Sequence, residues 1–319
     1  MANREHSLPR EKSGGDDSPG KITKYRARFK SYHRFQKKWA PYIFVTPFLV
    51  FFALFFLNPV VGAIRMSLYE FKGLDATRFS GIENYINLLK DPRFLKALLN
   101  STYFAVAWFI ILIPFSLLLA VAINSIDKKL GNFFQVSYYT PSVVSLVVVA
   151  IVFRLIYDRD FGLANLMLSW IGVKPLSWLE QPNLALGSII ILSAWRYLGV
   201  DILYFLAGLK AIPNEMFESA SIDGANKLQT FIYITLPLLK PISSFVIVIT
   251  IIGSYQLFTE PFLLTGGGPG DTTLTPALYL YRTGFSFLRM GYAASMGLFL
   301  GGIIFGLSFL QRKLFREEE

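Results

Sequence analysis

An all-α membrane protein with six transmembrane helices is the fold class this sequence predicts, and three observations carry it. The chain is 53% hydrophobic and 16% charged, with a mean hydropathy of +0.47, too apolar for a soluble domain of 319 residues. Six segments have the roughly 20 mostly apolar residues that crossing a bilayer requires. Lysine and arginine are unevenly divided between the two sets of loops, which fixes an orientation.

Taken in order, residues 1–20 are rich in Gly, Ser, Pro and charge and read as disordered. A basic run from Lys21 to Trp39 follows, KITKYRARFKSYHRFQKKW, and residues 1–38 together read as a cytoplasmic basic tail. This run holds much of the formal charge of +10, and its place beside a span points to anionic membrane lipid rather than nucleic acid. The first span, Pro41 to Met66, is too long for a signal-peptide core and lacks a small-residue cleavage pattern, so it is a retained anchor. The others run from Tyr103 to Ile123, Val136 to Ile156, Leu184 to Leu209, Pro241 to Leu264 and Gly291 to Leu310. An even number puts both termini on one side. Of the 28 Lys and Arg residues outside the spans, 19 lie in the two tails and the loops around Lys128 and Glu218, so that side is cytoplasmic. Pro114 in the second span and Pro261 near the end of the fifth imply kinks of the kind that line transport pathways. In the last span, Gly297-x-x-x-Gly301 and Gly302-x-x-x-Gly306 suit close packing against a neighbouring helix of the bundle.

Between the fourth and fifth spans lies a polar, helix-competent loop, ESASIDGANKLQTFIYITLPLLKP from Glu218 to Pro241. Asn214 behind Pro213 can cap a short helix, Asp223-Gly224 supplies a residue free to adopt positive φ, and a second helix starts near Lys227 and is interrupted by Pro237. The pattern Glu218-x-Ala220-x-x-Asp223-Gly224-Ala225, followed by Phe231, Ile234, Leu236-Pro237 and Pro241, closely resembles the EAA signature of the membrane subunits of bacterial ABC importers. Only Ser219, where alanine is usual, departs from it. The external stretches from Phe79 to Phe104 and from Leu263 to Thr273, and GYAAS at the start of the last span, extend the resemblance from about Trp39 to the C-terminus. It is closest to the MalF/UgpA/LacF-type permease subunits of carbohydrate importers.

The resemblance implies a type I ABC importer permease fold over residues 39–319, with a coupling loop at 210–240 that docks into a groove on an ATPase. In that role Glu218 and Asp223 hold the loop in shape or contact the ATPase, Gly224 makes its turn and Ala220 leaves room for close docking. Ala225, Ile234, Leu236 and Pro237 complete the element. It further implies a bacterial inner-membrane complex with a second, MalG-like permease, two ABC ATPases and an extracytoplasmic solute-binding protein, working by alternating access. ATP and Mg would be bound by the ATPases, and this chain would hold no cofactor.

The residues themselves offer no catalytic arrangement. The run Gly266 to Thr273 lacks the lysine and the strand-to-helix setting of a phosphate loop, His6 and His33 lie in the polar tail without partners, and no carboxylates gather at a cleft. There is no cysteine, so no disulfide or thiolate metal site. Arg196 is the sharpest polar candidate, because a lone charge near mid-bilayer costs at least about 2.5–3.5 kcal/mol and must face protein, water or ligand. Asp201 lies roughly 140° around the helix from it, while Glu260 on the fifth span could pair with it. With Trp195, Tyr197, Tyr255 and Gln256 it makes an aromatic and polar set suited to sugars, and its planar fork suits a carboxylate-bearing oligosaccharide. Two other readings remain open: a permease for glycerol phosphate or another small polar solute, and a polytopic membrane glycosyltransferase.

Overall fold

The computed structural model describes residues 39–72 and 75–316, so the basic tail expected over residues 1–38 lies outside the described residues. The chain divides into two compact units, residues 1–62 and 63–319. The first holds most of the first-span helix, Trp39–Ser67, in which Phe48, Phe52 and Phe56 stack one turn apart at 6.0 and 4.9 Å between ring centroids.

Four more helices, in the second unit, are long and apolar enough to span a bilayer: Pro92–Asn124, Pro182–Ala211, Lys240–Leu264 and Met290–Phe315. The remaining crossing is not the straight helix expected over Val136 to Ile156. It is a pair, Lys128–Val143 and Leu146–Ile156, bent by 95°. Pro141 lies inside the first of the two, where it withholds a donor and crowds the preceding turn, and Val144 and Ser145 then adopt extended ψ of 143° and 126°.

The second span is also longer than its apolar stretch. Asp91 caps it, accepting hydrogen bonds from the Arg93 and Phe94 N–H groups at 2.9 and 3.3 Å, and Pro92 fits the first turn, where no donor is needed. The expected distortion at Pro114 takes the form of a π-helical turn, Trp108–Leu112, just before it. On the fifth span the helix Lys240–Tyr255 stops and restarts as Thr259–Leu264, leaving Gln256 to Phe258 non-helical.

Two places show how tightly the spans pack. A Cβ on Gly199 would sit 2.0 Å from the Tyr138 carbonyl oxygen, and one on Gly208 would sit 2.7–2.8 Å from Ile242 and Leu239. Glycine is needed at both for the fourth span to lie against the third and the fifth. The last span behaves otherwise than expected: a Cβ on Gly297 would sit 3.2 Å from Leu280, but one on Gly301, Gly302 or Gly306 would meet nothing within 4 Å, so their small size is not required for packing within the described residues.

At the end of the bundle opposite the Glu218 loop, an antiparallel hairpin of β1 (Tyr69–Lys72) and β2 (Asp75–Phe79) and the helix Glu83–Lys90 precede Asp91. The Asp91 carboxylate accepts from the hydroxyls of Tyr279 and Tyr292 at 2.7 and 2.9 Å. Arg93 forms a two-pronged ion pair with Asp271, 2.8 Å on each arm, and Asn100 donates to the carbonyls of Asp271 and Leu274 at 2.8 Å each. Burial works to raise the pKa of Asp91, but its hydrogen bonds to Tyr279, Tyr292, Arg93 and Phe94 outweigh that and hold it below the usual value. The Tyr279 hydroxyl is pushed up to about 12, first by burial and then by its bond to Asp91.

Candidate functional site

The loop between the fourth and fifth spans folds as a helix, a turn and a second, irregular helix. The first helix is Asn214–Ile222; Pro213 holds the capping position, no side chain caps it, and Asn214 is its first residue rather than its cap. Its C-terminus is closed by backbone alone. Gly224 takes φ +76°, the Ala225 N–H reaches back to the Ala220 carbonyl at 2.9 Å, and the Gly224 N–H reaches the Ser221 carbonyl at 3.2 Å. This 6→1 and 5→2 pairing requires a left-handed residue between helix and turn, which is why glycine stands there.

Asn226 then starts the second helix with reciprocal bonds: its side chain accepts from the Gln229 N–H at 2.9 Å, and its own N–H donates to the Gln229 side chain at 2.8 Å. That helix is broken into Lys227–Thr230, a π-turn over Phe231–Thr235 and a last turn Leu236–Leu238 that contains Pro237. Ala220 is buried, Ala225 and Ile234 are half-buried, and Glu218, Asp223, Gly224, Leu236 and Pro237 are exposed. Met216, Ile222, Leu228 and Tyr233 are exposed as well, Ile222 to 86%. Apolar side chains presented on a polar loop outside the spans mark a surface for a protein partner.

A cavity of about 390 Å³ opens between the second, fourth and fifth spans and the start of Leu146–Ile156. Phe104 and Trp108 line it from the second span, Tyr197, Val200, Asp201 and Tyr204 from the fourth, and Thr250, Ser254, Gln256, Phe258 and Glu260 from the fifth. The break in the fifth span is what brings Gln256 and Glu260 to one wall. Trp108 stacks on Phe104 at 5.4 Å, and its Nε1–H donates to the Asp201 carboxylate at 2.9 Å.

Of the six residues expected to line a solute pathway, Tyr197, Gln256 and Glu260 reach this cavity. Trp195 is half-exposed and packs on Phe153 at 5.4 Å, away from it. Tyr255 is buried, its hydroxyl bonded to Thr102 at 2.9 Å. Arg196 turns the other way: its guanidinium donates to the carbonyls of Pro141, at 3.2 Å, and of Val144, the orphan acceptors at the bend of the third span. The direct Arg196–Glu260 ion pair is not formed. Trp108 and Tyr204 belong to no sequence motif, and Asp201 enters the sequence reading only beside Arg196; the usable signal is an acid inside a span together with an aromatic pair one turn apart, Phe104 and Trp108.

Residues 112–317 match the family described as binding-protein-dependent transport system inner membrane component. The arabinooligosaccharides transport system permease protein AraP of Bacillus subtilis (strain 168) is 38% identical over 282 residues, covering 88% of this chain and 90% of that protein. Among solved structures, a bacterial ABC transporter involved in the import of the acidic polysaccharide alginate superposes with a TM-score of 0.77 at 25% identity, covering 91% of this chain and 99% of the other. The bacterial alginate ABC transporter in complex with alginate pentasaccharide-bound periplasmic protein gives the same TM-score and identity over 89% and 96% of the two chains.

Proposed function

This chain belongs to the family of binding-protein-dependent transport system inner membrane components, and we propose that it is the permease through which an ABC importer brings an oligosaccharide across the bacterial inner membrane. The observation that carries the proposal is the pairing, in one chain, of an aromatic and polar cavity at the level of the spans with an apolar-faced loop beyond them. Aromatic faces against sugar C–H surfaces and planar polar groups against hydroxyls are what an oligosaccharide needs. The likeness to an arabinooligosaccharide permease and to an alginate importer supports that solute class.

In this reading a periplasmic binding protein delivers the solute, a second permease completes the pathway, and two ATPases bind ATP and Mg. Their closure moves the bundle through the Asn214–Leu238 loop, with Glu218, Asp223 and the exposed Met216, Ile222 and Leu228 as the docking face, exchanging inward- and outward-facing cavities. The chain itself holds no catalytic role. Purification of the complex with its binding protein, followed by mass spectrometry of the retained solute, is expected to yield an oligosaccharide; a glycerol phosphate or other small polar solute would overturn the assignment.

The docking loop must be cytoplasmic for this to work, and so must both termini. Since the chain lacks cysteine, single replacements at Ser80, Ser125 and Ser177 test it directly. An impermeant thiol reagent added outside is expected to label positions 80 and 177 and to spare 125. The reverse pattern would invert the topology.

A further inference from the structure

Asp201 is the polar group of the cavity that the proposed mechanism leaves without a task. It is 8% exposed, yet it stands in the cavity wall, and one carboxylate oxygen is fixed by the Trp108 Nε1–H at 2.9 Å. No second hydrogen bond to it is present among the described residues. Glu260, 3% exposed, is the other acid of the wall, and no lysine or arginine lines it. Arg196, on the same helix, places one terminal nitrogen on the Pro141 and Val144 carbonyls, while its Nε is buried without a hydrogen-bond partner among the described residues.

We propose that Asp201, held in place by Trp108, is a specificity-determining residue that accepts hydrogen bonds from the hydroxyls of a neutral oligosaccharide and bars uronate-bearing ones from the cavity. The inference rests on the reading of this cavity as the solute site. An ionised carboxylate offers acceptors to two neighbouring hydroxyls at once, in charge-assisted bonds stronger than neutral ones. The indole bond holds one oxygen, and the other has no hydrogen-bond partner among the described residues. Beside it the stacked Phe104 and Trp108 rings offer a face for sugar C–H groups. A uronate entering the same space meets two acids of like sign without a counter-cation on the wall, in a setting where water screens little. The one arginine of this region is absent from the cavity wall, and its terminal nitrogen is held by the bend of the third span.

The test uses the whole importer complex in detergent, without its binding protein, so that discrimination by the delivery protein does not enter. Equilibrium binding of two radiolabelled probes of equal length is measured, a neutral arabinose oligomer and an oligogalacturonide. The wild-type complex is expected to bind the neutral probe and to bind the uronate at least about tenfold more weakly, and Asp201→Asn to weaken the neutral probe about tenfold while narrowing that gap. Uronate binding at least as tight as neutral binding by the wild type, or an unchanged pair of affinities in Asp201→Asn, overturns the proposal. Should Asp201→Asn not assemble, Trp108→Phe, which keeps the ring and removes the indole donor, is expected to weaken the neutral probe severalfold while still excluding the uronate. An unchanged neutral affinity there also overturns it. If the assembled wild type binds neither probe, the oligosaccharide reading fails and this inference falls with it. Neutral binding with Asp201 indifferent instead leaves that reading standing and removes only this one.

Discussion

Gly224→Val is expected to insert and assemble normally and to lose nearly all solute-stimulated ATP hydrolysis and uptake. The residue sits at φ +76°, and a Cβ there would have nothing within 4 Å, so the whole cost is torsional rather than steric. Holding a non-glycine residue in the left-handed region costs about 1–3 kcal/mol, toward the upper end for a stiff β-branched side chain. A strain of about 2 kcal/mol lowers the population of the native turn about thirtyfold. That turn alone joins the Ala220 carbonyl to the Ala225 N–H, and with them the two halves of the exposed docking face. ATPase assays in proteoliposomes with and without the loaded binding protein measure the effect. Full stimulation with intact uptake would show that the loop does not couple the ATPase to the bundle. Gly224→Ala should lie between, since its strain is smaller.

Arg196→Gln is expected to destabilise the folded chain on the order of 3 kcal/mol, because it removes a charge-assisted donor from two carbonyls at the bend and leaves at least one acceptor unsatisfied in a membrane-buried setting. Thermal unfolding in detergent, followed by the loss of a monodisperse peak, reads the change. The same experiment separates two roles. If Arg196 served chiefly to neutralise Glu260, Arg196→Gln with Glu260→Gln would regain wild-type stability. Because the guanidinium instead closes the end of Lys128–Val143, the double variant is expected to stay near the single one. Arg196→Lys should recover only part, since both bonds come from the terminal Nη1 and the lysine side chain, one bond shorter, holds its ammonium short of that position.

Much of this architecture is legible in the sequence for simple reasons. Apolar length reports spans directly, and the positive φ of Gly224 follows from the need to end one helix and start another within four residues. The bend of the third span was not read, although Pro141 lay inside the stretch from Val136 to Ile156. Apolarity continues straight through it, and hydropathy is blind to a change of direction. The same blindness bears on Arg196. Its cost in the bilayer was apparent, but the acceptors that meet it are backbone carbonyls exposed by a bend some fifty residues earlier, and backbone acceptors have no signature in sequence. Tyr255 and Trp195 are aromatic residues at the right depth, but which way each points depends on where the fifth span breaks and on Phe153, and periodicity alone does not resolve it. In sequence Asp201 stands out only beside Arg196 on its own helix, whereas its partner, Trp108, comes from another span.

The glycine-rich stretch from Gly266 to Gly270, left to itself, would be a slack tether, since four glycines in five residues resist little. Both its ends are gripped. Arg93 takes both oxygens of Asp271, Asn100 takes two carbonyls, Thr273 bonds to Thr265 at 2.6 Å, and Arg282 holds the Gly266 carbonyl. So anchored, the segment acts as a strut. A displacement of the fifth span at Leu264 reaches the start of the second span at Arg93 without play, and the two must travel as one piece.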